Sequence, residues 1–454
     1  MNITETNQQQ YKKMTETSVQ RLVLTMSIPT VISQLITVIY NTADTWFVSK
    51  IDTSASAAVG IVFSIMAIIQ AFGFGISMGT GSIISKSLGE KNDEKAETIA
   101  VSGIFAAGIT GIAVGILGLA FLEPLMRLLG SSDTILPYSC DYARYIFISA
   151  PVMCSSFVLG NAIRSEGKAT LSMIGMAAGG VLNIFLDPVL IFVLDMGIKG
   201  AAISTAVSQL AGFLILLYFY FSGKTLIKLR PSRISKKPGT YYEIITTGIP
   251  TVFRQSMGSI ASALLNRKAM VYGDCAVAAI SISTKVYVLI RFIVLGIGQG
   301  FMPVAGYNFG ALKLKRTKQS FEFATLMGTA VCLVANAFIF NYRTQIMLWF
   351  RDDAEVISIG SQALWYFCLA LPLLAYSTYV NQLYQCLGFK IRATILACCR
   401  QGIFFIPILF ITTKLKGITG IECTQAFSDI CTFLVSVPLQ IYFFRHELNE
   451  KSEV

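Results

Sequence analysis

Polar side chains recur at helical spacing inside two long apolar segments of the chain. Asp44 follows Tyr40 and Asn41 at intervals of four and three residues, so these three side chains share one face of a helix. Asn183 and Asp187 are likewise four residues apart. Ionisable residues within membrane-spanning segments are costly and commonly mark a functional site. The spacing therefore predicts that both carboxylates belong to a binding site.

The expected depth of these residues brings further polar groups to the same level. In the topology derived below, the first and fifth apolar segments both run outward, which places Asp44 and Asp187 in the outer half of the membrane. Thr205 lies about 10 Å along the sixth segment, and Tyr142 enters near the same level on the fourth. The predicted cation-coupling residues are Tyr40, Asp44, Tyr142, Asn183, Asp187 and Thr205.

Such a pocket would perform cation exchange. Burial disfavours the ionised form of a carboxyl group, so each acid tends to bind a proton or another cation. One carboxylate does not hold a proton and a second cation equally well, and this competition is sufficient to drive exchange across a membrane. We predict protons as the coupling ion. Sodium is the alternative, with Asp44, Asn183, Asp187 and Thr205 as its oxygen ligands.

The second half of the chain carries basic residues where the first half carries acids. Its equivalent of Asp44 is Leu265. The residues predicted to line a substrate cavity are Gln34, Asn41, Gln255, Lys285 and Arg291. Lys285 and Arg291 either meet anionic groups in that cavity or pair with Glu422 or Asp429, and the interpretation favours pairing.

Catalytic chemistry finds little support in the sequence. The only histidine, His446, lies in the last ten residues, and the ten cysteines include no C-x-x-C spacing. The pair Asp352 and Asp353 falls between apolar runs beside Arg351, where solvation is expected. We therefore predict a protein that is not an enzyme, has no catalytic residues and holds neither a cofactor nor a resident metal.

The composition identifies the elements that must position these residues. Of 454 residues, 54% are apolar and only 13% are charged, and the mean hydropathy is +0.64. These values are typical of a polytopic membrane protein, because about 20 apolar residues cross a bilayer as a helix. The runs lack the two-residue alternation of barrel strands, so the predicted fold class is all-α with twelve membrane helices. The runs fall at 22–48, 55–84, 97–121, 138–161, 169–194, 198–222, 244–272, 276–306, 320–341, 358–383, 393–413 and 418–444.

The distribution of the 36 lysines and arginines predicts the orientation of the chain. With a cytoplasmic amino terminus, 23 of them, Arg400 included, lie on the cytoplasmic side, nine lie on the opposite side and four lie within the segments. Both termini are then cytoplasmic. The basic residues alternate with apolar runs and form no soluble face. The expected partners are therefore the lipid bilayer and small amphipathic organic compounds, with no nucleic acid, and we expect a monomer.

The two halves of the chain repeat each other in register. A shift of 221 residues places Ile28-Pro29-Thr30-Val31 on Ile249-Pro250-Thr251-Val252. The same shift matches Gly75 to Gly296, Gly79 to Gly300, Pro151 to Pro372 and Gly167 to Gly388. Prolines and glycines held in register over this distance indicate a duplication. The predicted organisation is a cytoplasmic tail at 1–21, an N-lobe at 22–222, a basic cytoplasmic linker at 223–243, a C-lobe at 244–444 and a second cytoplasmic tail at 445–454.

Each half contains six segments, so the second copy enters the membrane in the same direction as the first. This pattern is the parallel repeat found in one class of transporters. Two similar bundles that move against each other provide alternating access.

Three stretches of the sequence resemble the multidrug and toxic compound extrusion (MATE) family. They run from Ile28 to Val48, from Asn183 to Pro188, and from Gln299 to Ala311, and the likeness covers about residues 20–445. Within that family the sequence is most similar to the bacterial DinF-like and MepA-like branch. The resemblance implies twelve helices in two six-helix lobes, and export of amphipathic, often cationic compounds in exchange for protons or sodium. It also implies a multi-pass protein of the bacterial cell membrane.

The resemblance also implies site residues, and one departure from the family. By motif match, the family's N-lobe cation site falls on Asp44, Asn183, Asp187 and Thr205, with Tyr142 nearby. Family members that use acids of the C-lobe carry them in the seventh and tenth helices. This sequence has none at 244–272 or 358–383, so coupling through its C-lobe is not expected.

Two other functions compete with drug export. A lipid-linked oligosaccharide flippase of the same superfamily would use Arg254, Lys285 and Arg291 to meet a pyrophosphate. An intramembrane prenyl-group transferase would need a larger set of acids than the four embedded in the membrane segments. The major facilitator superfamily shares the duplicated plan, but the loop from Lys86 to Lys95 lacks its Asp-Arg-x-Gly-Arg pattern.

Overall fold

The computed structural model describes residues 3–448, and within them the chain is almost entirely helical, without β-strands. The helices are α1 (Ile3–Glu16), α2 (Val19–Ser49), α3 (Thr53–Gly89), α4 (Asp93–Ala120), α5 (Leu122–Leu128), α6 (Leu136–Ser165), α7 (Ala169–Pro188), α8 (Gly197–Phe221), α9 (Pro238–Ala269), α10 (Asp274–Gly310), α11 (Leu314–Phe350), α12 (Ala354–Leu387), α13 (Lys390–Cys398), α14 (Phe405–Lys416) and α15 (Ile418–Tyr442). Short π turns continue α7, α13 and α15 at Val189–Val193, Cys399–Ile403 and Phe443–Glu447.

Twelve helical segments of this described part have the length of a membrane crossing. Eleven are apolar enough by composition, with α13 and α14 forming one segment across their π turn. The twelfth is α9, which has 32 residues but is less apolar because it contains Arg254, Arg267 and Lys268. The predicted all-α fold with twelve membrane helices is confirmed.

The two predicted tails contain helical residues, and one residue that was counted with the loops lies within a helix. The predicted tail at 1–21 contains α1 and the start of α2, and the predicted tail at 445–454 is helical as far as residue 448, beyond which it lies outside the described residues. Arg400, counted above with the cytoplasmic loops, sits in the π turn between α13 and α14. It lies within a membrane helix because its buried partner, Asp429, compensates its charge.

The described chain divides into two compact units. The N-unit comprises Met1–Glu16 and Ile32–Val252, and the C-unit comprises Thr17–Val31 and Phe253–Val454. These limits differ from the predicted lobes at 22–222 and 244–444. The first part of α2 belongs to the C-unit, and the first part of α9 belongs to the N-unit. In each of these two helices, the change from one unit to the other occurs three residues after the repeated proline, Pro29 or Pro250.

Glycines explain why α9 begins in the N-unit. A Cβ atom on Gly79 of α3 would overlap the carbonyl oxygen of Ile244, and one on Gly248 of α9 would overlap the carbonyl oxygen of Gly75. The two backbones therefore touch directly, as in other membrane helix pairs built on small residues four apart.

The repeat reproduces the contact within the C-unit. Gly296 and Gly300 of α10 are the counterparts of the α3 glycines at a shift of 221 residues. A Cβ atom on Gly296 would lie 2.8 Å from Cα of Val31, and one on Gly300 would collide with the backbone of Ser27. Ser27 also donates a hydrogen bond to the carbonyl of Ile297 at 3.1 Å. The start of α2 therefore packs against glycines of α10 in the same way as the start of α9 packs against glycines of α3.

A fully buried carboxylate, that of Glu166, connects separate segments of the N-unit. Glu166, which follows α6, accepts hydrogen bonds from the backbone N–H groups of Leu226 and Ile227 at 2.8 and 3.0 Å. Lys168 Nζ lies 3.9 Å from the carboxylate, and Gln10 of α1 donates to the Glu166 carbonyl at 2.9 Å. Burial raises the pKa of Glu166 to about 7, although Lys168 and both N–H groups act in the opposite direction. This residue therefore fastens α1 and the linker to α6.

We expect Glu166 to make stability depend on pH. Because its pKa is higher in the folded protein than the ordinary value of 4.5, its contribution is fully present below that value and is lost as pH rises to about 7. The uncharged Glu166→Gln variant lacks this dependence. From about pH 5 to about pH 8, Tm of the wild type should fall by a few degrees relative to Glu166→Gln. The exposed Glu90→Gln is the control, and a constant Tm difference between wild type and Glu166→Gln would contradict the assignment.

Candidate functional site

Four helices of the N-unit bring the predicted polar residues together. Asp44 on α2 is 4% exposed, and its Oδ2 accepts a hydrogen bond at 3.1 Å from the hydroxyl of Tyr142 on α6, which is fully buried. Tyr142 also interacts with Thr205 of α8. The tyrosine therefore connects the carboxylate of α2 to the opposite side of the bundle.

The second carboxylate lies at the end of α7. Asn183 Nδ2 donates to Asp187 Oδ1 at 3.0 Å and lies 3.1 Å from Ser204 Oγ and 3.5 Å from Thr205 Oγ1. Asp187 is fully buried. Spacing of four residues gives the first contact within α7, whereas the others require α8 to pack alongside. Pro188 ends the regular hydrogen bonding directly after the acid, and the π turn follows.

The site contains buried oxygens that lack partners. Asp44 Oδ1, Asn183 Oδ1 and Asp187 Oδ2 accept no hydrogen bond from any described residue. Neither Asp44 nor Asp187 forms an ion pair with a lysine or arginine within residues 7–448. Buried polar atoms normally have partners, and an unpaired buried carboxylate is costly. Three acceptors of this kind in one site suit a cation, either a proton or an oxygen-seeking metal ion.

Tyr40 also belongs to this site, and it contacts a residue that was not predicted from the sequence. It interacts with Asp44, with its neighbour Asn41 and with Gln209 of α8. Ser204, which also interacts with Asp187, was missed as well. On α8, Ser204 is next to Thr205, and Gln209 lies one helical turn beyond it. Their closeness to Thr205 was the signal that could have identified them. The remaining predicted members, Asp44, Tyr142, Asn183, Asp187 and Thr205, are brought together.

The five residues predicted to line a substrate cavity divide between the units. Gln34 and Asn41 belong to the N-unit, and Gln255, Lys285 and Arg291 belong to the C-unit. Lys285 is exposed, and the other four are half-buried. Their role in a cavity stays a prediction.

The C-unit has its own buried polar cluster, built on an ion pair. Arg400 Nε donates to Asp429 Oδ1 at 2.7 Å, and Gln425 Nε2 donates to the same oxygen at 2.9 Å. The hydroxyl of Tyr287 donates to Asp429 Oδ2 and accepts from Arg400. The acid on α15 is 1% exposed.

This pairing differs from the one favoured by the sequence. Asp429 pairs with Arg400 and not with Lys285 or Arg291, because the π turn carries Arg400 into the bundle beside α15. Glu422, the other acid on α15, forms no ion pair with any described residue, and its Oε2 has no partner.

Fold and site together define a multi-pass membrane protein of two helical units. The N-unit brings together two buried acids, Asp44 and Asp187, that form no ion pair with a described residue. A family model described as MatE matches residues 29–189 and 250–411, one match in each half of the repeat. The chain belongs to the MatE family. The resemblance found in the sequence is thereby confirmed.

Curated relatives and solved structures extend this result along the chain. The chain is 28% identical to the multidrug export protein MepA of Staphylococcus haemolyticus (strain JCSC1435) over 438 residues, which is 96% of either protein. It is 27% identical to MepA of Staphylococcus aureus (strain bovine RF122) over 426 residues, 93% of either. An outward-facing structure of a multidrug resistance MATE family transporter superposes with a TM-score of 0.91 at 24% identity. It covers 97% of this chain and 98% of the other, which establishes the fold.

Proposed function

We propose that this protein is a secondary active multidrug efflux antiporter. It exports amphipathic, cationic compounds and takes up protons in exchange, with sodium as the alternative coupling ion. The observation that carries the proposal is the set of unpartnered buried oxygens on Asp44, Asn183 and Asp187. The printed names of the MepA relatives support multidrug export.

The coupling follows from competition for the N-unit acids. With a proton or sodium ion bound, the acids are neutralised and the buried site is stable without a substrate. When a cationic compound displaces that ion, the charge balance is restored by the substrate instead. Movement of the two lobes by alternating access then carries the substrate outward and the coupling ion inward. No chemical bond is made or broken, so the protein acts as a transporter and not as an enzyme.

The setting of this activity is the bacterial cell membrane. The distribution of lysine and arginine supports an orientation with both termini in the cytoplasm. The site lies within one unit of a single chain, which supports function as a monomer.

Transport in everted membrane vesicles tests the proposal. We expect rhodamine 123, a lipophilic cation, to accumulate in vesicles that contain the protein when an imposed proton gradient is present, and to leave when the gradient is dissipated. Accumulation that follows an imposed sodium gradient at fixed pH would assign coupling to sodium. Uptake that ignores both gradients would refute the antiporter.

The type of ligand that the protein binds distinguishes a flippase from the proposed antiporter. Its pyrophosphate-bearing substrate would bind to the C-unit arginines, whereas the antiporter binds cationic dyes. A protein that binds an anionic lipid headgroup and no dye from the cationic panel would support the flippase.

A further inference from the structure

The linker between α8 and α9 carries basic residues and no acids. From Gly223 to Tyr242 it contains six lysines and arginines and neither an aspartate nor a glutamate. Arg233 pairs with Glu94 and lies 3.9 Å from Glu97, both on α4. The other five form no ion pair with any residue from 7 to 448. We refer to these five as the linker patch, which comprises Lys224, Lys228, Arg230, Lys236 and Lys237.

Contacts with the N-unit hold the backbone of the linker in place. Leu226 and Ile227 donate their N–H groups to the buried carboxylate of Glu166 at 2.8 and 3.0 Å. Further along, the N–H of Ser235 donates to Oγ of Ser102 on α4 at 2.9 Å. Because the backbone is fixed near both ends of the linker, a ligand that binds its side chains loses less free energy to ordering than on a flexible tail.

The basic side chains of the linker patch point away from the N-unit. Four of the five are exposed, and Lys228 is half-buried. Between them, Thr225, Leu226 and Ile227 are buried at 8%, 7% and 2% exposure. The linker therefore packs its small and apolar side chains against the N-unit and leaves its charged groups accessible.

The ends of the linker lie at the level of the lipid headgroups. The linker joins two membrane helices, α8 and α9. Near these helix ends, Tyr218, Phe221 and Tyr242 are 59%, 76% and 71% exposed. Exposed tyrosines at the ends of membrane helices mark the boundary between hydrocarbon and water. Lys224 Nζ lies 5.5 Å from the centroid of the Tyr218 ring, which places this ammonium group at the same boundary.

Basic side chains at this level meet the phosphate groups of lipids. Clusters of four to eight lysines and arginines beside a membrane helix attract anionic lipids. Phosphatidylcholine also carries a phosphate, but its quaternary ammonium group is repelled by the linker patch. Inorganic phosphate lacks the acyl chains that cover the exposed rings of α8 and α9. Charge and position together therefore favour an anionic phospholipid as the ligand.

We propose that the linker patch binds the headgroups of anionic phospholipids. Its lysine and arginine side chains contact the lipid phosphate, and the acyl chains pack against Tyr218 and Phe221 of α8. Lys236 and Lys237 extend the same surface to the start of α9. All of these residues belong to the N-unit. The inference goes beyond the proposed export function and does not depend on it.

Native mass spectrometry of the purified protein measures this binding one lipid at a time. The probes are dioleoyl phosphatidylglycerol and dioleoyl phosphatidylcholine, which have the same acyl chains and different headgroups. We expect the wild type to bind phosphatidylglycerol more tightly. A basic residue at a membrane surface contributes about fivefold to the affinity for anionic lipid. Lys236→Gln/Lys237→Gln should therefore weaken the binding of phosphatidylglycerol at least about fivefold. Replacement of all five residues by Gln should abolish the preference, while phosphatidylcholine binding stays within about twofold of the wild type.

Two control variants separate the linker patch from net charge. Lys236→Arg/Lys237→Arg keeps both charges and should keep the preference. Lys414→Gln/Lys416→Gln removes two positive charges at exposed positions at the end of α14, outside the patch. It should bind phosphatidylglycerol as the wild type does.

Three results would overturn the proposal. The first is a preference for phosphatidylglycerol that survives replacement of all five residues. The second is an equal loss in Lys414→Gln/Lys416→Gln, which would assign the preference to net charge. The third is displacement of phosphatidylglycerol by excess inorganic phosphate at constant ionic strength, which would assign the patch to a soluble anion. Because export is not measured, none of these results bears on the antiporter.

Discussion

We expect that replacing Asp187 by Asn abolishes the proposed export driven by the proton gradient. The variant keeps the acceptor oxygen that Asn183 uses at 3.0 Å, and it replaces the buried Oδ2, which has no partner. The fold should therefore persist, while the group that we propose to bind the coupling ion is lost. We expect rhodamine 123 accumulation in everted vesicles to drop to the level of vesicles without the protein, with membrane insertion and Tm at least equal to the wild type. Removing an unpaired buried charge does not destabilise.

Asp195→Asn is the control for this experiment. Asp195 is exposed, lies in the loop after α7 and has a positive φ of 52°, which Asn also tolerates. Its export should equal that of the wild type. Gradient-dependent export retained by Asp187→Asn would contradict the assigned role.

The second large effect concerns folding, and it arises from Asp429 in the C-unit. Asp429→Asn leaves Arg400 without its carboxylate partner. Loss of one partner of a buried ion pair costs about 3–5 kcal/mol, and we expect a sharp fall in the Tm of the detergent-purified protein. The double variant Arg400→Gln/Asp429→Asn removes the paired charge as well and should recover most of that loss.

Glu422→Gln is the matched control for Asp429→Asn. Both acids lie on α15 and are almost fully buried, but Glu422 forms no ion pair with a described residue. Neutralising it should leave Tm unchanged or raise it. If Asp429→Asn is as stable as Glu422→Gln, the ion pair with Arg400 does not hold the cluster together.

The parts of the fold that were predictable from sequence depend on local composition and on the repeat. Twelve apolar runs define twelve helices, because a membrane helix satisfies its backbone within its own segment. The exchange of the first parts of α2 and α9 was not predictable in this way. It depends on glycines such as Gly79 and Gly300 meeting a helix far away in sequence, and no local pattern specifies that partner.

The same distinction applies to the two polar clusters. Spacing of four residues predicted Asn183 beside Asp187, and helix direction predicted that Tyr142 reaches Asp44. Ser204 was missed because a serine within an apolar helix gives no signal of its own. Arg400 was assigned to a loop because its buried partner, Asp429, lies 29 residues further along the chain.

The central claim is that substrate and coupling ion compete for the N-unit acids, and proton release on substrate binding tests it most directly. Rhodamine 123 is added to the purified protein in weakly buffered, sodium-free solution with a soluble pH indicator. The account predicts that the wild type releases protons in proportion to the dye bound, and that Asp44→Asn/Asp187→Asn releases none. Dye binding without proton release, and with an affinity that added sodium does not change, would contradict it.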